Sequence, residues 1–221
     1  MSSAAAPTVG WRAPEVIEEL PSLRLLAAEV EVRRQGSLTG ESPPDVLHSL
    51  RERSSRFRGA RAVSIRREPV PAAYRVFFRH IGLDPDVVRT PIETAVLERM
   101  IRGGFPTGGL LADVLLIALT DTGVPVWALA SETLDGPPGI RSSVEGEPLG
   151  AGRDAHPLPH GRLVVADSSH ALAVLFDEPA SAHAPRGSTR ELTLFTVQVA
   201  GVPTLFAEEA LWNAASALES T

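Results

Sequence analysis

Residues 109–130 read GLLADVLLIALTDTGVPVWALA, and the type of pattern changes inside this stretch. Residues 109–121 are apolar almost throughout, apart from Asp113, and their length and leucine content predict a buried helix. Gly123 separates them from residues 124–130, a short β-rich run that predicts a strand. The elements on either side of this junction therefore decide the fold class.

The chain before the junction is predicted to be mainly helical. Residues 45–59, 72–81 and 91–102 each have a helical pattern, and apolar residues within 72–81 recur at i, i+3, i+4 and i+7 on one face. The last of these helices begins at a threonine and proline and stops at a glycine pair. Residues 23–34 end in alternating apolar and acidic residues, which predicts a strand.

The chain after the junction is predicted to form short strands over residues 161–167, 171–176 and 192–199, with a closing helix over 205–218. Residues 135–161 are rich in glycine and proline and predict a long loop around a short strand.

Helices early in the chain and strands late in it predict one α+β domain with a mixed or antiparallel sheet and flanking helices. We expect this domain to comprise residues 11–218 and residues 1–10 to be a flexible N-terminus.

Composition excludes several kinds of chemistry. The chain has no cysteine, so disulfides, thiol catalysis, zinc–thiolate sites and iron–sulfur clusters are excluded. All 21 basic residues are arginine, which also excludes Schiff-base lysines and a P-loop lysine. No apolar run approaches the ~20 residues of a membrane span, and residues 1–11 lack a signal-peptide pattern. We expect a cytoplasmic protein without membrane contact.

The charge distribution is uneven, although the formal net charge is −6. Residues 1–102 hold 16 arginines against 13 acids, whereas residues 103–221 hold 5 against 14. Residues 51–67, RERSSRFRGARAVSIRR, are the densest positive stretch, and arginine forks bind phosphate oxygens well. The open alternative is a solvated helix paired with acids elsewhere. The candidate phosphate-binding residues are Arg53, Arg56, Arg58, Arg61, Arg66 and Arg67.

Two other motifs favour plain structural interpretations. His156 and His160 have a spacing found in metal sites, but Pro157 and Pro159 exclude the helix that would align them. Residues 167–170, DSSH, hold the residue types of a nucleophile triad, yet neighbours in a turn point apart. We therefore expect no metal site and no cofactor.

Several motifs follow one another in a characteristic order: YRxxFRxxGLDP from residue 74, RTPIE from residue 89, GVP from residue 123 and LVVAD from residue 163. This ordered set resembles the B3/B4 domain, the editing module of the bacterial phenylalanine–tRNA ligase β subunit. It is more similar still to stand-alone B3/B4 proteins, and the resemblance runs from about residue 10 to residue 215. It implies an α+β fold, a central cavity for an aminoacyl group and tRNA as partner.

The sequence departs from the family at the positions of its editing pocket. Trp127 occupies the place of the editing histidine, and Leu115 and Leu116 occupy the places of two polar residues. The glutamate that recognises the tyrosine hydroxyl in the ligase falls near Phe195 or Thr196. A tyrosine hydroxyl would be left unpaired among these apolar groups, so we expect an apolar aminoacyl group instead.

Four polar residues remain as pocket candidates: Asp113, Arg141, Glu147 and Thr196. Each has a structural alternative, since Asp113 could cap or pair with an arginine and Arg141 could pair with Glu147 across a hairpin. The catalytic group stays unassigned. The full set of predicted pocket residues is Asp113, Leu115, Leu116, Trp127, Arg141, Glu147, Phe195 and Thr196.

The resemblance covers an editing module and not a complete tRNA ligase, so it implies editing in trans. We expect a free-standing aminoacyl-tRNA deacylase, with aminoacyl-tRNA as its partner. The alternative from a different class is a non-catalytic module that binds tRNA or a small amino-acid-like ligand. A small-molecule enzyme on the same fold is a third possibility, because fold does not fix function.

Overall fold

A strand near the end of the chain organises the main sheet in the computed structural model, which describes residues 6–150 and 155–220. This strand, β10 (Glu191–Gln198), pairs antiparallel with β3 (Arg24–Glu31) along its whole length. On its other side it pairs antiparallel with β4 (Val126–Ala130). The two-residue β1 (Thr8–Val9) extends the sheet on the far side of β3.

A second sheet is mixed and has the strand order β2-β5-β8-β9-β6-β7. Its strands are short: β2 (Trp11–Arg12), β5 (Gly139–Ser142), β6 (Pro148–Leu149), β7 (His156–Pro157), β8 (Leu163–Ala166) and β9 (Ala171–Val174).

Seven helices are present in the described part of the chain. They are α1 (Pro14–Glu19), α2 (Pro44–Arg56), α3 (Ala60–Ser64), α4 (Pro69–His80), α5 (Pro91–Arg102), α6 (Leu110–Thr122) and α7 (Thr204–Glu219). Helix α7 packs against α6 and the main sheet, and α2 packs against the other side of α6. The predicted α+β fold is therefore confirmed.

The core lies between the main sheet and helices α4, α6 and α7. Tyr74 and Phe78 of α4 are 1% and 2% exposed, and the Tyr74 hydroxyl donates to the Val197 carbonyl of β10 at 2.8 Å. The side chains of α4 that the periodicity placed on one face therefore attach this helix to the sheet. A smaller cluster of buried apolar residues joins α2, α3 and α5 to α6.

Local signals set several boundaries. Helix α5 starts at Pro91, and the Glu93 carboxylate accepts hydrogen bonds from both the Thr90 N–H and the Thr90 hydroxyl. It ends at Gly103, whose φ of +77° lies in the left-handed region that glycine adopts without strain. Helix α4 begins three residues earlier than the periodicity indicates, because Pro69 starts it favourably.

The N-terminal segment differs from the expected flexible end at residues 8–10. Thr8 and Val9 pair with Ala27 and Leu26 in the main sheet, and the Gly10 N–H donates to the Leu25 carbonyl. Residues 1–5 lie outside the described part of the chain. Backbone pairing with a sheet edge fixes a short segment that has little apolar content of its own.

No helix among residues 6–150 and 155–220 combines the length and the apolar character that crossing a bilayer requires.

Candidate functional site: an apolar cavity beside α6

A cavity of about 290 Å³ lies between α6, the segment that enters β4 and the turn after β9. Leu111, Ala112, Leu115 and Leu116 of α6 line one wall. Pro125 and Trp127 line the second wall, and Glu178 lies at the third. We call this the apolar cavity.

Helix α6 explains why the cavity is apolar. Val114 and Ala118 are buried in the core, whereas Leu111, Leu115 and Leu116 are only half-buried. A helix that is apolar on all sides is expected to be enclosed on all sides. Here one apolar side faces open space, which is typical of a ligand pocket.

Trp127 is held rigidly in the second wall. It is 5% exposed and stacks on Phe195, its cross-strand partner on β10, with ring centroids 5.6 Å apart and planes inclined by 19°. Phe195 lies behind Trp127 and does not itself line the cavity. The structure thus brings Leu115, Leu116, Trp127 and Phe195 together, while their role in binding a substrate stays a prediction.

The turn after β9 has an unusual backbone. Phe176 has a φ of +70°, the one non-glycine residue with positive φ in the described chain. Its ring packs against the rings of Tyr74, Phe77, Phe78 and Trp127 at centroid distances of 5.1–6.1 Å. Such a conformation costs on the order of 1–3 kcal/mol and persists only where the surroundings enforce it. The aromatic packing therefore fixes the turn that carries Glu178.

Asp113 does not line the apolar cavity, contrary to the sequence expectation. Its carboxylate is 1% exposed and accepts hydrogen bonds from the Ser42 hydroxyl at 2.6 Å and the Gly108 N–H at 2.9 Å. Asp113 thus ties two loops to the start of α6.

Arg141 and Glu147 also lie away from the cavity. Their side chains form a two-pronged ion pair at the end of β5 in the second sheet, and Glu147 additionally accepts from the Val144 N–H at 3.1 Å. The guanidinium lowers the pKa of Glu147 below its usual range, so the pair is charged at neutral pH. This is the structural alternative that the sequence left open.

Thr196 is fully buried, and its hydroxyl donates to the Pro125 carbonyl at 2.7 Å. Pro125 lines the cavity, so Thr196 supports the second wall from behind. Thr196 thus has its partner behind the cavity lining, and here, as at Asp113, a buried polar group finds its hydrogen bonds within the fold.

The arginines of residues 51–67 fall into two groups. Arg53 binds the Asp121 carboxylate through two nitrogens at 2.6–2.9 Å, and Arg56, Arg61 and Arg66 each lie within 4.0 Å of an acid. Arg58 and Arg67, together with Arg51, which was not among the predicted phosphate-binding residues, are exposed and have no ion-pair partner among the described residues. A phosphate-binding role, which stays a prediction, would therefore fall most readily to Arg58 and Arg67.

Glu178 is a site residue that the sequence analysis missed. It is the only titratable residue in the lining of the apolar cavity across the described chain. Partial desolvation and the neighbouring Asp177 raise its pKa above its usual range. An acid in a turn after a short strand is normally solvated, so no sequence signal distinguishes it.

A larger cleft of about 690 Å³ lies elsewhere, between α1, the end of α4 and β8. Its lining mixes charges of both signs, including Glu19, His80 and Arg162, and contains none of the predicted pocket residues. We therefore place the candidate site in the apolar cavity.

Comparison with known proteins gives a partial match. No model of a known protein family matches the chain. The chain is 36% identical over 95 residues to the phenylalanine–tRNA ligase beta subunit of Xanthomonas axonopodis pv. citri (strain 306). This match covers 42% of this chain and 12% of the relative. The beta subunit of Xanthomonas oryzae pv. oryzae (strain MAFF 311018) is 36% identical over 88 residues, 40% of this chain and 10% of the relative. The chain thus spans about a tenth of each relative's length, and the similarity supports a related domain.

Proposed function

We propose that residues 11–218 form a B3/B4-type editing module and that the protein is a free-standing deacylase for tRNA carrying an apolar amino acid. The observation that carries the proposal is that Leu115, Leu116 and Trp127 line one and the same apolar cavity. These are the positions that the B3/B4 resemblance assigns to the editing pocket. The similarity to phenylalanine–tRNA ligase beta subunits supports the same assignment.

The size and chemistry of the apolar cavity favour one small apolar group. Its volume of about 290 Å³ lies at the lower end of the range of ~300–1,000 Å³ that is typical of small-ligand pockets, which suits one amino acid. Each Å² of apolar ligand surface that is buried there contributes ~25 cal/mol to the free energy of binding. A hydroxyl among Leu115, Leu116 and Trp127 would lose its hydrogen bonds to water at a cost of ~1–3 kcal/mol. A tyrosine hydroxyl that lies against these three side chains is therefore disfavoured.

The proposed reaction is hydrolysis of the ester that links the amino acid to the tRNA. A water oxygen attacks the carbonyl carbon, the carbonyl–ribose oxygen bond breaks, and the proton from water ends on the ribose oxygen. Trp127 supplies no proton acceptor where the family has a histidine. Backbone groups and the terminal hydroxyl of the tRNA would then orient the water and stabilise the oxyanion.

Deacylation assays test the proposal directly. This chain alone is incubated with tRNAs mischarged with leucine, isoleucine, valine, methionine, phenylalanine or tyrosine, and ester loss is followed over time. We expect hydrolysis of one or more apolar esters and little hydrolysis of the tyrosyl ester. A panel in which no ester is lost faster than in buffer contradicts the proposal.

Filling the apolar cavity should remove this activity. Ala112 is exposed and lines the cavity, so Ala112→Trp should occupy the space and slow deacylation at least tenfold without unfolding the helix. The same substitution at Ala155, an exposed loop residue outside the cavity, is the matched control. Circular dichroism and the melting temperature check the fold of both variants. Equal activity of the two variants would place the site elsewhere.

A second candidate function is a non-catalytic module that binds tRNA or an amino-acid-like ligand. The observation that favours it is the absence of any imidazole from the lining of the apolar cavity as the described residues form it. Under this alternative the protein binds mischarged tRNA and protects its ester from hydrolysis.

Contact with tRNA should depend on the unpaired arginines. The double variant Arg58→Gln, Arg67→Gln should weaken tRNA binding. The plot of log binding constant against log salt concentration should become less steep by about 2, since each phosphate contact contributes ~0.9 to the magnitude of its slope. Electrophoretic or fluorescence titrations at several salt concentrations measure this slope. Arg24 and Arg186 are exposed arginines outside residues 51–67, and their double glutamine variant controls for net charge. A similar loss in both double variants would mean that residues 51–67 are only a solvated face.

A further inference from the structure

The apolar cavity contains one charged group, and that group has no partner. Among the described residues, Glu178 is the only titratable residue in the lining. Its carboxylate makes no hydrogen bond and no ion pair there, unlike the carboxylates of Glu93, Asp121 and Glu147. An acid that faces a cavity without a cation is available to bind one.

The surroundings of Glu178 make this carboxylate a better ligand than an ordinary surface acid. Glu178 is exposed at the mouth of the cavity, and Leu111, Leu115, Leu116 and the Trp127 ring, which line the same space, desolvate its carboxylate in part. This desolvation, followed by the charge of Asp177, raises the pKa of Glu178, which means that its charged form is incompletely stabilised. A cation that replaces the missing water would restore that stabilisation.

The turn that precedes Glu178 has an unusual backbone conformation. Phe176, two residues earlier, holds a left-handed backbone with a φ of +70° under the packing of four aromatic rings. Strain of this kind concentrates at ligand sites, where it pre-organises a group. Trp127 belongs both to that aromatic packing and to the cavity lining, so the turn before Glu178 packs against a residue of the cavity.

We propose that the apolar cavity binds primary amines that carry a compact apolar group, with the apolar group against Leu115, Leu116 and Trp127 and the ammonium at Glu178. This inference rests on the proposed function, because the ester of an amino acid carries such an ammonium next to its side chain. Glu178 is then a specificity-determining residue that distinguishes an aminoacyl ester from an N-blocked or deaminated ester.

Binding of two matched amides tests the inference without any catalysis. L-Leucinamide and 4-methylpentanamide share the apolar group and the amide, and only the first has an amine, which is protonated at pH 6.5. Isothermal titration and tryptophan fluorescence measure their affinities for the full chain. We expect about tenfold tighter binding of L-leucinamide. Equal affinities, or no binding of L-leucinamide, overturn the inference.

Two variants assign the preference to Glu178. Glu178→Gln should bind both amides equally, with the affinity for 4-methylpentanamide unchanged. Asp177 does not line the cavity. Asp177→Asn therefore removes only a neighbouring charge and should keep the preference for L-leucinamide. A preference that survives in Glu178→Gln overturns the inference, and so does one that is lost in Asp177→Asn. Melting temperatures confirm that both variants fold.

The same variants separate this inference from the proposed function. If no mischarged tRNA is deacylated but the amine preference depends on Glu178, the proposed function fails and the amine site stands. In the opposite case the parent deacylates apolar aminoacyl-tRNA, and Glu178→Gln has the same KM as the parent for both the free-amine and the N-acetylated ester. The proposed function then stands and the amine site is wrong.

Discussion

Replacing Phe78 by alanine is expected to lower the free energy of unfolding by about 3–5 kcal/mol. Phe78 is 2% exposed, and its ring centroid lies 5.1 Å from that of Phe176 in the aromatic cluster behind the apolar cavity. The substitution removes a large apolar side chain from the contact between α4 and the sheet and leaves a cavity that the core cannot fill. Denaturant unfolding followed by circular dichroism measures the change.

Val76 provides the control for Phe78. It lies on the same helix, is 63% exposed, and its replacement by alanine should change the free energy of unfolding by less than about 0.5 kcal/mol. A loss well under 1 kcal/mol for Phe78→Ala would contradict the burial of this face of α4. The variant also tests the aromatic packing that fixes Phe176, because a looser turn should weaken ligand binding at Glu178.

The second large effect concerns Arg75, which lies one turn before Arg79 on α4. Its side chain is 9% exposed and donates to the Glu93 carboxylate at 2.7 Å, the Asp86 carboxylate at 2.6 Å and the Pro85 carbonyl at 3.2 Å. Replacement by methionine leaves Glu93, itself 10% exposed, without its cation. We expect a loss of about 2–3 kcal/mol, less than the ~3–5 kcal/mol of a fully buried pair, because Asp86 keeps most of its contact with water.

Acid titration of stability provides an independent measure of the Arg75 network. The hydrogen bond from Arg75 lowers the pKa of Asp86, with further contributions from the charges of Arg79 and Arg66. A carboxyl whose pKa is lower in the folded protein stabilises it above its unfolded pKa near 3.8, and this stabilisation is lost as the pH falls below that value. Arg75→Met should therefore flatten the decrease in stability between about pH 5 and pH 3.

Arg79→Met is the matched control for Arg75. Arg79 is exposed and makes no hydrogen bond or ion pair within the described residues, so the same substitution should cost less than about 0.5 kcal/mol. Losses of equal size in the two variants would mean that the arginines act only through net charge. Both arginines belong to the YRxxFRxxGLDP motif that begins at residue 74, and only the ion pairs of the folded chain distinguish them.

The proposals have a common physical basis in the partners of polar side chains. Asp113, Glu147 and Thr196 were predicted pocket residues, yet each has hydrogen-bonding partners outside the apolar cavity. Glu178 has none among the described residues and lies at the cavity. A polar group is available for a ligand only when the fold leaves it unsatisfied, and that is why the site assignment moved from four predicted polar residues to one that was not predicted.

The sequence by itself determined the elements that depend on local chemistry. Helix α5 spans the predicted residues 91–102 because its start and stop signals, Thr90, Glu93 and Gly103, act on the backbone within one turn. The apolar run of residues 109–121 predicted α6 to within one residue, and alternation predicted β3. The apolar nature of Leu115, Leu116 and Trp127, on which the proposed class of ligand rests, also follows from the sequence.

Only the tertiary structure decided which distant segments meet. The pairing of β3 with β10 joins residues 24–31 to residues 191–198, and no local pattern contains a register between strands so far apart. The division of the arginines into paired and unpaired residues depends on acids such as Asp121, which approaches Arg53 across α2 and α6. Glu178 meets the apolar wall of α6 because the Phe176 turn is forced by aromatic rings from α4 and β4. Backbone propensity and the pattern of burial can be read from short segments of sequence. The contacts of long polar side chains, in contrast, form only after those segments have packed together.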